Sequence, residues 1–274
     1  MNLVNLPANM VCAKLSILAF VLVSCLTCNL LAQQVTQSPS PMIDRTRPHP
    51  RITQQEVVGR RIDLKTLPGA RLFVNPKVNV TRPVPLLIHF HGAPWLVEFH
   101  IANYLSRAAL ITVQLGSGSS VYRRPFEQLA LFETVLDEAS AELGLKQGWS
   151  SITLTGFSAG YGAVRQILRN PESFRLINNV LLLDGMHVSY SPEGKLLADG
   201  GVIDATNVDS FVSFAKEAVL KRKIFVITHS EIFPGAYGST TECADYLLAQ
   251  LNLTRRPNLQ SGPIGMQQLS SVDV

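Results

Sequence analysis

The segment Gly156-Phe157-Ser158-Ala159-Gly160 constrains this chain more than any other stretch. An apolar run, Ser151-Ile152-Thr153-Leu154-Thr155, leads into it, and a run of helical character, Tyr161 to Leu168, follows. The order reads strand, tight turn, helix. A serine at such a turn occupies a strained corner with its hydroxyl above the sheet. Glycines on either side remove the Cβ atoms that would collide with neighbouring backbone. Ser158 is therefore the candidate nucleophile.

A second informative segment lies upstream, where Val84-Pro85-Leu86-Leu87-Ile88-His89-Phe90 reads as a buried strand entering His91-Gly92-Ala93-Pro94-Trp95. Around these two segments the apolar pattern predicts strands over 70–74, 109–115, 179–183 and 223–228. It predicts helices over 99–107, 125–143, 210–221 with Asp209 as N-cap, and 240–251. Strands alternating with helices imply a mostly parallel central sheet with helices on both faces, an α/β fold. At 274 residues, 46% hydrophobic and 16% charged, the chain is long enough for one such domain and too short for a second full one. The stretch from Gly185 to Val208 is poorly periodic and is a candidate loop over the site, or a plain surface connection.

On the His-Gly-containing loop after the third strand and the G-x-S-x-G turn after the fifth, residues 70 to 251 resemble the α/β-hydrolase family. The resemblance implies an esterase-like serine hydrolase working through an acyl-enzyme on Ser158 with a small-molecule acyl substrate. It also implies an oxyanion hole from the backbone N–H groups of Ala159 and Ala93, since Pro94 has no N–H to offer. Haloalkane dehalogenases and epoxide hydrolases share a similar loop but carry aspartate at the turn, where this chain has serine. Peptidase, thioesterase and acyltransferase chemistry share the nucleophile and stay open.

A serine hydroxyl needs a base to take its proton and an acid to orient that base. The resemblance implies the order serine, acid, histidine. Asp184, ending Leu181-Leu182-Leu183, is the expected acid, with Glu231 as the alternative. His229, at the end of Ile227-Thr228, is the expected base, about 10 Å and two strand spacings from the turn. The family supplies its base after an eighth strand, whereas Asn252 to Val274 is polar and without histidine. The domain is thus expected to lack the final strand and to be C-terminally incomplete, or His229 has taken the role. His187 could approach from the segment after Asp184. His91 would brace the loop, His89 lies within a strand, and His100 suits a surface. A non-catalytic relative, exported as a binding or surface module, is the alternative reading.

The N-terminus has the pattern of a bacterial export signal, with Lys14 before the apolar run Leu15 to Val23. Cleavage is expected after Ala32, or before Cys25, where Leu22-Val23-Ser24-Cys25 resembles a lipoprotein signal and would give membrane attachment through a lipidated cysteine. Residues 1–32 are thus read as a leader, 33–55 as a flexible proline-rich linker, and 56–274 as the domain that resembles the α/β-hydrolases. The protein is expected to be periplasmic, secreted or lipid-anchored. Cys243 is the only thiol outside the leader, so no internal disulfide is expected. A formal charge of +4 without basic clusters argues against nucleic acid. No metal-ligand spacing appears in the folded part, and no cofactor is required.

Overall fold

A computed structural model describes residues 53–261 and 267–271. The expected leader and all but the last residues of the linker lie outside the described residues. The chain enters the sheet with β1 (Arg60–Asp63), β2 (Ala70–Val74) and β3 (Val84–Phe90), followed by helix α1 (Pro94–Tyr104) and β4 (Ala109–Val113). Helix α2 (Ser119–Arg123), a 3-10 turn over Arg124–Glu127 and helix α3 (Leu131–Leu143) lead to β5 (Trp149–Phe157). Next come α4 (Tyr161–Leu168), α5 (Pro171–Leu176) and β6 (Asn179–Leu183). The short pair β7 (Tyr190–Ser191) and β8 (Val202–Ile203) precedes α6 (Asp209–Val219), β9 (Ile224–Thr228) and α7 (Thr240–Gln250). A hairpin of β10 (Arg256–Ser261) and β11 (Gln267–Ser271) follows.

Seven strands form one sheet in the order β1-β2-β4-β3-β5-β6-β9. The pairs involving β1 and β2 are antiparallel and the other four are parallel. Among the described residues no strand extends this sheet beyond β9, because β10 pairs with β11 in a separate two-stranded sheet. The protein is thus an α/β protein whose mainly parallel sheet, among the described residues, has one strand fewer than the resemblance implies.

Every residue of β4 is buried, as a strand covered on both faces requires. Its alternate side chains serve two cores. Leu110 packs with Phe73 and Ile101 of α1 on one face. Ala109, Ile111 and Val113 join the larger core, with Phe126, Val135 of α3, Val164 of α4 and Phe214 of α6. Each large apolar side chain fully buried this way contributes about 1.5–3 kcal/mol relative to exposure.

The elements depart from the sequence expectations in ways that bear on the site. Helix α1 begins at Pro94 rather than Phe99, because proline with its fixed φ suits the first helical position. Only His91, Gly92 and Ala93 therefore form the loop. The helix expected over 125–143 starts at Leu131, since the chain around Pro125 closes as a 3-10 turn. Val208, not Asp209, is the N-cap of α6, and Asp209 lies in its first turn. The segment 185–208 carries the β7–β8 pair and two 3-10 turns.

Candidate active site

Strand register brings the three expected catalytic residues into one row. Phe157 pairs with Leu183, and Leu183 pairs with Thr228. Ser158, Asp184 and His229 are the next residues in each case, side by side at the C-terminal ends of β5, β6 and β9. In an open parallel sheet this is the edge where ligand sites form.

Ser158 has φ +43, a left-handed conformation that non-glycine residues rarely adopt. The backbone folds that sharply because β5 must reverse into α4 within the short 3-10 turn Ser158–Gly160. Close packing enforces it. A Cβ on Gly160 would overlap the carbonyl of Phe90 in β3, and one on Gly156 would lie 3.0 Å from both Gly160 C and Tyr161 N. Ser158 itself is half-buried, so its hydroxyl is neither sealed in the core nor on a flat surface.

Asp184 repeats the kink at φ +44. Its carboxylate accepts hydrogen bonds from the Ser230 N–H (3.0 Å), the Ser230 hydroxyl (2.8 Å) and the Thr240 hydroxyl (2.5 Å). It therefore holds the β9–α7 connection and makes no hydrogen bond to a histidine among the described residues. Glu231, the alternative acid, is exposed.

His229 is turned to other partners. The Thr241 hydroxyl donates to Ser230 O at 2.6 Å, so it accepts the His229 Nδ1–H at 3.0 Å. Nε2 is then the acceptor, and Arg255 Nη1 donates to it. Burial, then the Arg255 charge, pushes the His229 pKa down. The register brings Ser158 and His229 to one edge, but the side chains do not form the expected nucleophile–base pair.

His187, three residues beyond Asp184, presents a different picture. Its Nδ1–H donates to the carbonyl of Gly238 at 3.0 Å, which leaves the lone pair on Nε2. Nε2 makes no hydrogen bond among the described residues. The ring lies edge-on between Tyr161 (5.9 Å between centroids) and Tyr237 (5.1 Å). Burial lowers its pKa, while the Gly238 carbonyl and the Asp184 charge act in the opposite direction. The ring is thus held neutral, in one tautomer, beside the first residue of α4.

On the other side of Ser158 lies the loop His91-Gly92-Ala93. His91 and Gly92 have φ +68 and +107, and Ala93 is the N-cap of α1. Neither the N–H of Ala93 nor that of Ala159 takes part in a loop or turn hydrogen bond among the described residues.

Trp95, adjacent to this loop, lines a cavity of about 500 Å³ with Val57, Arg61, Arg71 and Glu98, none of which belongs to the turn. His89 is buried in β3 with its Nδ1 3.3 Å from the Thr155 hydroxyl. His100 stacks on Tyr104 in α1. Cys243 is a buried free thiol whose pKa burial pushes up to about 12, a core residue without nucleophilic character. No group of three His, Cys, Asp or Glu among the described residues could hold a metal ion, and no described helix is long and apolar enough to cross a membrane. Sequence reasoning passed over Thr240, Arg255 and Tyr122, which hold Asp184, His229 and His91. No motif marks them, because each acts through a contact distant in sequence.

No family model and no curated protein matches this chain. Among solved structures it is similar to BioJ, a Francisella virulence factor, at 11% identity over 68% of this chain and 78% of that one, with a TM-score of 0.40. It is similar to a thermostable esterase at 17% identity over 71% of this chain, with a TM-score of 0.41; the match spans 51% of the esterase. It is also similar to DphMB1, at 17% identity over 73% of this chain and 87% of that one, with a TM-score of 0.39.

Proposed function

We propose that this protein is an esterase-like serine hydrolase with Ser158 as nucleophile. The observation that carries the reading is a half-exposed, non-glycine residue at φ +43, between the strand β5 and the helix α4. Such strain costs on the order of 1–3 kcal/mol and persists where the surrounding structure over-determines it, commonly at functional sites.

In the proposed reaction Ser158 Oγ attacks the carbonyl carbon of an acyl substrate, and its proton passes to a histidine Nε2. The negative charge that develops on the carbonyl oxygen meets the N–H groups of Ala93 and Ala159. One such prepositioned donor is worth about 3–4 kcal/mol of transition-state stabilisation. Collapse expels the alkoxide, which takes the proton from the imidazolium and leaves an acyl-enzyme. Water, deprotonated by the same histidine, then releases the acid and restores Ser158. His187 is the better candidate for this base. Its Nε2 is unpartnered among the described residues, its tautomer is set by Gly238, and Asp184 supports the charged form through space. His229 would first have to give up Arg255. Export through a leader ending at Ala32 or before Cys25 belongs to the same proposal, and the mass of the mature protein distinguishes the two ends.

A fluorophosphonate should label the purified protein at one site, mapped by mass spectrometry to Ser158, and Ser158→Ala should abolish both the label and the p-nitrophenol burst from p-nitrophenyl acetate. Absence of any adduct on the full chain would favour the second reading, a binding module that retains the turn for its architecture. The observation on that side is that no histidine hydrogen-bonds to Ser158 or Asp184 among the described residues.

A further inference from the structure

His91 is a bulky residue in left-handed backbone, and glycine would be the default there. Three contacts hold it. Its N–H donates to Val113 O at 3.1 Å, its ring lies parallel to that of Phe157 at 6.0 Å between centroids, and its Nδ1 is 2.9 Å from the Tyr122 hydroxyl. Phe157 immediately precedes Ser158, so the His91 ring touches the turn that bears the nucleophile while its backbone forms the loop that bears Ala93.

Tyr122 is fully buried in α2. Its hydroxyl donates to Gly116 O at 3.1 Å and receives the Leu115 N–H at 3.2 Å. The His91 ring also meets the Gly116 carbonyl, so Tyr122 OH, His91 and Gly116 O form one hydrogen-bonded group in which the Tyr122–His91 bond can run in either direction. Burial pushes the Tyr122 pKa up and the His91 pKa down, in both cases toward the neutral pair. The hydroxyl thus joins the end of β4, through Leu115 and Gly116, to the loop after β3.

We infer that Tyr122 is a positioning residue for the oxyanion hole: its hydroxyl fixes the His91 ring and backbone, and thereby the direction of the Ala93 N–H two residues on. The inference rests on the hydrolase reading. Tyr122 touches no substrate. It sets the geometry of a donor that does, and a misdirected donor stabilises the developing oxyanion less while leaving ground-state binding largely intact.

Tyr122→Phe keeps the ring and removes the hydroxyl. On the full chain, kcat for p-nitrophenyl acetate should fall about 10–100-fold with KM changed less than about 3-fold, and the rate of fluorophosphonate labelling should fall in parallel. In ¹⁵N spectra the His91 Nδ1 signal should shift on loss of the hydroxyl. His91→Asn retains an N–H donor in a residue that tolerates positive φ and should recover most of the activity that His91→Ala loses. A folded Tyr122→Phe with unchanged kcat and labelling rate would overturn the inference, as would equal activity of the two His91 variants. The His91 pair decides the matter should Tyr122→Phe fail to fold. Failure of the unsubstituted protein to label at Ser158 overturns the hydrolase reading itself, and the two failures are told apart by that control.

Discussion

A methyl group on Gly185 would lie 2.9 Å from the carbonyl oxygen of Ser158 and 3.0 Å from its amide nitrogen, so the turn after β6 is packed directly onto the turn after β5. Both contacts are to backbone, which cannot swing aside as a flexible side chain can. Gly185→Ala should therefore displace the Ser158 turn. Overpacking of this kind costs about 1–3 kcal/mol. The expected result in urea unfolding is a loss of that size, with fluorophosphonate labelling slowed at least about tenfold by the misplaced nucleophile. Wild-type stability together with wild-type labelling would show that the two turns are not mechanically coupled.

Ser158 at φ +43 predicts a conflict between stability and chemistry. Glycine reaches that backbone without a Cβ clash, whereas alanine retains the clash and loses the hydroxyl. Ser158→Gly should be more stable than Ser158→Ala by about 1 kcal/mol, although glycine also gains entropy in the unfolded chain. Neither variant should label. Equal midpoints in chemical denaturation would mean that the turn is unstrained.

The two histidines at the site make opposite predictions. His187→Gln should lower the labelling rate by at least about 100-fold, the scale of general base catalysis, whereas His229→Gln should leave it within a few-fold. The pKa of His187 lies below its ordinary 6.5 because of burial. A base must be neutral to accept a proton, so the midpoint of the labelling rate against pH should lie below 6.5. A midpoint above 6.5, or a His229→Gln protein that fails to label, would remove His187 from the mechanism.

The strand–turn–helix around Ser158 was legible because apolar runs of the right length flank glycines, one of which, Gly160, has to pack on the Phe90 carbonyl. Parallel order was legible from alternation, and the absence of an eighth sheet strand among the described residues from the polar character of the segment after Leu251. Strand β1, Arg60–Asp63, carries no apolar alternation and pairs only along the sheet edge, so its sequence gives no signal. The break before Leu131 was hidden because the apolar period runs through it. At the site, chain order and strand ends placed Ser158, Asp184 and His229 on one row, but not where their side chains point. His229 faces Arg255, which is 26 positions away in sequence, and such a pairing exists only once α7 has docked. Tyr122 was illegible for the same reason, since its contact with His91 spans 31 positions in sequence.

His89 predicts the acid sensitivity of the fold. It lies in β3 at 4% exposure, and burial, opposed by a backbone hydrogen bond at His91 and assisted by the His91 charge, lowers its pKa from 6.5 to about 4. A group whose folded pKa is depressed binds fewer protons in the native state than in the unfolded chain between those two values. Its contribution is complete above pH 6.5 and is lost progressively as pH falls toward about 4. A shift of this size corresponds to about 3 kcal/mol. His91, His187 and His229 are shifted in the same direction and add to the slope. His89→Asn removes one titrating group and leaves the others, so its absolute stability is less informative than its pH dependence. Urea midpoints measured from pH 7.5 to pH 4 should fall less steeply in the variant than in the unsubstituted protein. Parallel curves would show that His89 is either already protonated in the fold or hydrated there, contrary to its burial between β4 and β5.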